Sequence, residues 1–191
     1  MNGERFIVLH QSDIIGLYIW TANWGLYDAM KLIKKFGNAA GKLCEVLIPI
    51  KHEYYIGEGN SIAICTLSSI DLLQTIANTV EIIDRILVVG RLLSENKGLD
   101  KLINFTLKHP NLRHLVVCGK EARGHIAGQA LLCVHRNGVS DDGRIIGATG
   151  ANPFLTCSQT DIELFRRQIT IYDLIENKDL KTIKNIVLHL C

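Results

Sequence analysis

One histidine in this chain is set apart by its neighbours. The run Leu115-Val116-Val117-Cys118-Gly119 is apolar and ends in glycine, and Lys120-Glu121-Ala122-Arg123-Gly124-His125-Ile126-Ala127-Gly128-Gln129 follows as a turn opening into a helical pattern. Val116 and Val117 suit a buried strand, and Gly119 is its natural stop. Gly124 and Gly128 remove side chains before His125 and one helical turn after it. A bulky, flat partner can then approach the backbone while the imidazole points at it. This is the pattern expected of a ligand crevice at a strand–turn–helix junction of an open α/β sheet.

A histidine at a helix start is, taken alone, more often a cap or a packing residue, but such a residue needs no cleared space on both sides. A metal held by protein side chains alone would want further ligands at compatible spacing. His114 is placed on the preceding strand and His109 and His135 on helices, so no cluster forms around His125. A single protein ligand suits a metal whose other positions a macrocycle already fills, which points to haem or a corrinoid. A second candidate is Ile145-Ile146-Gly147-Ala148-Thr149-Gly150-Ala151-Asn152-Pro153-Phe154. Alone it reads as a strand end with a proline-fixed turn. Beside the His125 loop it predicts a second small-residue loop at the same sheet edge, the two making a broad floor. Tyr55-Ile56-Gly57-Glu58-Gly59 is a possible third wall. The glycines do not form GxGxxG, and no Gly-Lys-Ser/Thr follows, so neither a dinucleotide site nor a phosphate loop is indicated. An anion at the start of the helix after His125 remains an alternative.

The elements that must position these residues alternate. Residues 46–50 and 62–66 read as strands joined by a hairpin-like turn over 54–60, and Ser68 or Ser69 can cap a helix running through Leu72, Leu73, Ile76 and Val80. Ile86–Gly90 is a strand, Leu99–Leu107 a helix stopped by Pro110, and Leu112–Cys118 a strand. The helix after His125 runs to Gly138, Ile145–Thr149 is a short strand, and Asp161–Gln168, Ile169–Ile175 and Lys178–Leu190 follow as helix, strand and helix. Strands alternating with helices predict an α/β fold: a Rossmann-like, mostly parallel sheet flanked by helices. Residues 1–43, with a helix expected over Asn23–Phe36 and both tryptophans, Trp20 and Trp24, read as an N-terminal extension, and residues 44–191 as the main domain.

Composition narrows the class. At 191 residues with 48% hydrophobic and 21% charged side chains, the chain can bury a full core. A net charge of +2 without basic stripes argues against nucleic acid. No apolar run is long enough to span a bilayer, and Met1-Asn2-Gly3-Glu4-Arg5 lacks a secretory pattern, so a soluble cytoplasmic protein is expected. The cysteines Cys44, Cys65, Cys118, Cys133, Cys157 and Cys191 are spaced as packing residues, not as metal knuckles.

Cys118-Gly119-x-Glu121-x-x-Gly124-His125-Ile126-x-Gly128-Gln129, followed by Ile145-Ile146-Gly147-Ala148-Thr149-Gly150-Ala151-x-Pro153, resembles the A subunit of tetrahydromethanopterin S-methyltransferase. Asn111-Leu112-Arg113, His135-x-Asn137-Gly138-Val139 and Ile171-x-Asp173-Leu174-Ile175 fit as well, and the resemblance covers roughly 54–187. It implies a corrinoid (cobalamin) cofactor with His125 as lower axial ligand to cobalt. Gly119, Glu121, Gly124, Gly128, Gln129, Gly147, Ala148, Thr149, Gly150, Ala151 and Pro153 would then form the cofactor site. It implies further a methyl group carried on cobalt between a donor and an acceptor thiol or pterin, and a partner in the form of a separate methyltransferase subunit. Glu121, Thr66, Ser68 and Asp71 are the candidates to hold the other imidazole nitrogen. The family's C-terminal membrane anchor has no counterpart at Leu188-His189-Leu190-Cys191, so a soluble relative is expected. The alternative is a cofactor-free homologue acting as a binding or regulatory module.

Overall fold

The computed structural model describes residues 54–122 and 124–191. The helix expected over 23–36, the strand over 46–50 and the boundary at residue 43 lie outside them. Within them the chain runs β1 (Tyr54–Ile56), β2 (Ile62–Cys65), α1 (Ile70–Ala77), α2 (Val80–Ile83), β3 (Val88–Gly90), α3 (Lys97–Lys108), β4 (His114–Gly119), α4 (Ala127–Asn137), α5 (Gln159–Gln168), β5 (Thr170–Ile175) and α6 (Leu180–Leu190). The strands form one sheet in the order β1-β3-β2-β4-β5, parallel throughout except for β1, which pairs antiparallel with β3 at the edge.

Alternate side chains of β2 and β4 enter two separate cores, as the period of two in a strand requires. Ala63, Cys65, Leu115 and Val117 pack with Leu99 and Ile103 of α3, Leu131 and Val134 of α4, and Ile162 and Phe165 of α5. Ile62, Ile64, Val116 and Cys118 pack on the other face with Leu72, Leu73 and Ile76 of α1, Ile82 of α2, and Ile183 and Val187 of α6. Each such buried aliphatic chain contributes about 1.5–3 kcal/mol relative to exposure. The near-continuous apolar character of β2 and β4 follows from helices covering both faces.

The path reverses between β2 and β4, since helices after β2 lie on one face and the helix after β3 on the other. That is the point where open α/β sheets bind ligands, outside the carboxyl ends of the strands. Here the two loops at the reversal are locked together. The Ser68 N–H and hydroxyl both donate to the Lys120 carbonyl, at 2.9 and 2.7 Å, and the Lys120 N–H donates to Ser69 Oγ at 2.9 Å. Ser69 stands at the N-cap of α1 but spends its hydroxyl on this bond instead of capping. Gly119 permits the approach: its φ is +79°, and a Cβ there would lie 2.5 Å from the Thr66 carbonyl oxygen.

Three local expectations are corrected. The hairpin-like turn at 54–60 is instead the edge strand β1 and a tight passage beyond it. Gly57 and Gly59 press on the backbone of Ile83 to Ile86, where an added Cβ would fall 2.1 Å from carbonyl oxygens. That passage sits before β3, at the amino end of the parallel strands, so it is no wall of a site at the carboxyl end. The helix expected through Val80 breaks after Ala77, and α2 restarts it. Ile145–Thr149 is not a strand of the sheet: it belongs to the α4–α5 connection, and its one bridge is the isolated pairing of Ile145 with Val139. Gly147, at φ +86°, turns the chain before a ladder can form.

Among the described residues no helix is long and apolar enough to cross a membrane. The described cysteines are free thiols, and Cys65 and Cys118 are buried in the cores. Burial pushes the Cys65 thiol up to about 12 and raises Cys118 as well, which suits packing and not reactivity.

Candidate functional site

The histidines of the described chain differ in what they bind. His109 Nδ1 faces the Phe105 carbonyl at 2.8 Å, His135 Nε2 the Ile169 carbonyl at 2.8 Å, and His114 Nδ1 the Tyr172 hydroxyl at 3.2 Å. These are structural contacts. His125 alone meets a carboxylate: its Nδ1 lies 2.8 Å from Glu95 Oε2, with the imidazole half exposed and the glutamate side chain fully buried.

Glu95 lies in the β3–α3 loop, just before α3, and its other oxygen accepts the Asn152 N–H at 2.9 Å. Burial opposes its ionisation. The Asn152 N–H, its own backbone N–H and the His125 ring outweigh that and hold the carboxyl below the ordinary glutamate range. An ionised Glu95 can only accept, so in the neutral ring the proton sits on Nδ1 and the lone pair on Nε2. That is the tautomer a metal-ligating histidine needs, with its orientation fixed by the carboxylate behind it. Gly124, at φ +78°, adds open ground: nothing lies within 4 Å of where its Cβ would be.

The partner of the imidazole is therefore none of the residues nominated from sequence. Ser68 bonds the Lys120 and Glu121 carbonyls, Thr66 Oγ1 the Gly90 carbonyl, and Asp71 sits in the first turn of α1. Glu121 turns the other way. Its Oε2 accepts the Gly128 N–H at 3.1 Å and its Oε1 the Gln129 N–H at 2.8 Å. It caps α4, whose own N-cap Ile126 has no side-chain acceptor. The helix start proposed for an external anion already holds the protein's own carboxylate. Gly128 is buried against it: a Cβ there would meet Glu121 Oε1 at 2.8 Å and Ile175 and Leu67 at 3.0 and 3.1 Å. Gly128 thus admits Glu121 and does not clear space for a ligand.

The second glycine loop is brought to the first, though from a different element than expected. The Gln129 amide donates to the Gly147 carbonyl at 3.0 Å and accepts the Thr149 N–H at 3.2 Å, and Glu95 takes the Asn152 N–H. Gly150 lies against Glu95, with a Cβ there falling 3.0 Å from its Cγ. Thr149 and Ala151 are exposed at the rim, whereas Ala148 and Pro153 are buried beneath. Asp100 anchors the far end, accepting the Thr156 N–H and hydroxyl and the Cys157 N–H. The rim is built at the carboxyl edge of the sheet, from the loops after β3 and β4, which flank β2, and from the loop after α4.

Among the described residues no three His, Cys, Asp or Glu side chains converge on a point that could hold a metal ion. A metal at His125 Nε2 would bring its remaining ligands with it. The donor set, one oriented imidazole beside open ground, fits an axial ligand to a macrocyclic metal. Glu95 was the residue missed; the sequence signal was only its place in a loop that follows a parallel strand.

The match to known proteins covers the whole of this region. The family model for the A subunit of tetrahydromethanopterin S-methyltransferase matches residues 44–191. A protein of Methanosarcina acetivorans, provisionally named the A subunit of methyltransferase Mtx, is 37% identical over 141 residues, 73% of this chain and 67% of its own. The tetrahydromethanopterin S-methyltransferase A subunit numbered 2 of Methanothermobacter thermautotrophicus is 46% identical over 94 residues, 48% of this chain and 51% of its own. The corresponding A subunit of Methanocaldococcus jannaschii is 36% identical over 141 residues, 72% of this chain and 56% of its own. The chain thus spans between about half and two thirds of the length of these relatives.

Proposed function

The chain belongs to the family of tetrahydromethanopterin S-methyltransferase A subunits, and on that premise we propose that it is a corrinoid-binding methyl carrier. In this role it holds cobalamin through His125 and serves a separate methyltransferase subunit, between a methyl donor and an acceptor thiol or pterin. The cofactor supplies, when bound, the cobalt on which the methyl group travels. The rest falls to this chain. Glu95 keeps the proton on His125 Nδ1 and aims Nε2 outward, Gly124 leaves the ground beside it open, and the Gly147–Ala151 loop, held by Gln129 and Glu95, flanks it. Gly119, Glu121, Gly128, Ala148 and Pro153 support these parts from beneath.

The observation that carries this proposal is the half-exposed imidazole fixed at 2.8 Å by a fully buried carboxylate. A buried carboxylate is a costly partner, and here it fixes both the tautomer and the direction of a ring whose other nitrogen is left free to bind. The test is a titration of the full chain with cobalamin, followed in the visible spectrum. Saturable binding is expected, with a spectrum that changes in His125→Ala. Absence of binding by the unaltered chain would instead favour a cofactor-free binding module.

A further inference from the structure

The edge of the sheet opposite the rim carries an open groove of about 610 Å³, between the end of α3 and one face of α5. Arg113 stands just before β4 and Gln168 shortly before β5, so the groove lies at the amino ends of the parallel strands. The six residues of β4 run from this edge to the His125 loop, a span of about 20 Å.

One amide fixes the floor. Gln168 Nε2 shares its protons among the carbonyls of Thr106, His109 and Leu112, at 3.1, 3.0 and 3.1 Å. These bonds tie the end of α5 to the turn after α3 and satisfy carbonyls that would otherwise leave that helix end negative. Arg113 Nη1 donates to the Pro110 and Leu112 carbonyls, which hold the guanidinium in place without neutralising it. Arg167 pairs with no carboxylate among the described residues.

Along α5 the lining changes character turn by turn. Asp161, Leu164 and Arg167 follow at intervals of three, on one stripe of the helix. Asp161 accepts the Ser158 hydroxyl at 2.7 Å and stands in the first turn of α5, where the helix dipole offsets its charge. Leu164 is 48% exposed, and Leu107 lies across from it on α3. The far end is basic. There Arg113 and Arg167 meet, brought together by the Gln168 bond to the Leu112 carbonyl.

We infer that this groove docks an acidic, leucine-bearing segment of another protein chain. Its apolar side chain lies on Leu164 and Leu107, and its carboxylates pair with Arg113 and Arg167. Charge complementarity selects that occupant: the uncompensated charge of the groove is positive, and a guanidinium pairs a carboxylate through two parallel bonds. Docking at this edge leaves the His125 edge free, so one protein can hold the chain while its rim faces another. It does not depend on the cofactor proposed above.

The test is selection from a library of random linear peptides on the immobilised full chain. The expected peptides carry a large aliphatic residue with Asp or Glu beside it. They should bind about tenfold more weakly to Arg167→Glu and to Leu164→Gln, each changed at an exposed position, with thermal unfolding showing that both variants are folded. Selection repeated on Arg167→Glu should lose the acidic preference. No enrichment, or peptides that bind the unaltered chain and both variants equally, would overturn this assignment. A chain that sediments as a dimer, and as a monomer once Leu164→Gln is made, would give the groove to a second copy and overturn it as well.

Discussion

Two glutamates of the rim, Glu95 and Glu121, are built alike and used differently. Each seats its carboxylate against a glycine, Gly150 for Glu95 and Gly128 for Glu121, and each accepts two hydrogen bonds. Glu121 spends both on backbone N–H groups of one helix, which is capping. Glu95 divides its pair between the backbone of one loop and the imidazole of another, joining Asn152 to His125. A carboxylate satisfied wholly by backbone is architecture; one that leaves a partner half exposed is positioned for a ligand.

That contrast can be broken by exchange. The largest effect is expected at Glu95→Gln. The amide can donate to Nδ1, which moves the imidazole proton to Nε2 and blocks ligation. Corrinoid affinity should fall about 10- to 100-fold with unfolding free energy changed by under about 1 kcal/mol. Equal affinity in the parent and Glu95→Gln proteins would remove Glu95 from the account.

Next in size is Gly128→Ala, whose methyl group would crowd Glu121, Leu67 and Ile175. Urea unfolding should show about 1–2 kcal/mol lost, since overpacking outweighs the gain in helix propensity. Gly150→Ala presses on Glu95 instead. It should weaken corrinoid binding by about tenfold with less change in stability; the reverse pattern would dissolve the distinction. Glu121→Gln should cost about 1 kcal/mol of stability through the weakened cap and leave affinity unaltered.

The smallest effect is one of acidity. Burial opposes ionisation of Asp100, but bonds from Thr156 and Cys157 outweigh it and lower its carboxyl below the usual range. A folded-state depression gives stability that is present above the unfolded value and is lost as pH falls through the folded one. Asp100→Asn should therefore flatten the pH dependence of unfolding below about pH 4, and an unchanged acid limb would contradict the assignment.

Much of this was legible in the chain. The apolar runs gave β4 and β5, Pro110 and Gly138 lie just beyond the ends of α3 and α4, and Gly119 marked the end of β4. The glycines were legible as places of contact but not of contact with what: Gly124 faces open space, while Gly128 and Gly150 face carboxylates of the protein itself. Glu95 was hidden because Leu92-Leu93-Ser94-Glu95-Asn96-Lys97 reads as an ordinary polar loop entry to a helix. Its meaning comes only from a contact across 30 residues, made when β3 and β4 end at the same edge. The second glycine loop was placed correctly beside His125 for the wrong reason. It is no strand end, and side chains of Gln129 and Glu95 carry it there.

The claim that His125 ligates cobalt through Nε2 is tested most directly by electron paramagnetic resonance of the cobalt(II) form, in protein carrying ¹⁵N-histidine. The account predicts a superhyperfine triplet from one axial nitrogen in unlabelled protein, converted to a doublet by the label and lost in His125→Ala. A triplet that persists with labelled histidine would mean that the cofactor's own base holds the cobalt, and would contradict the account.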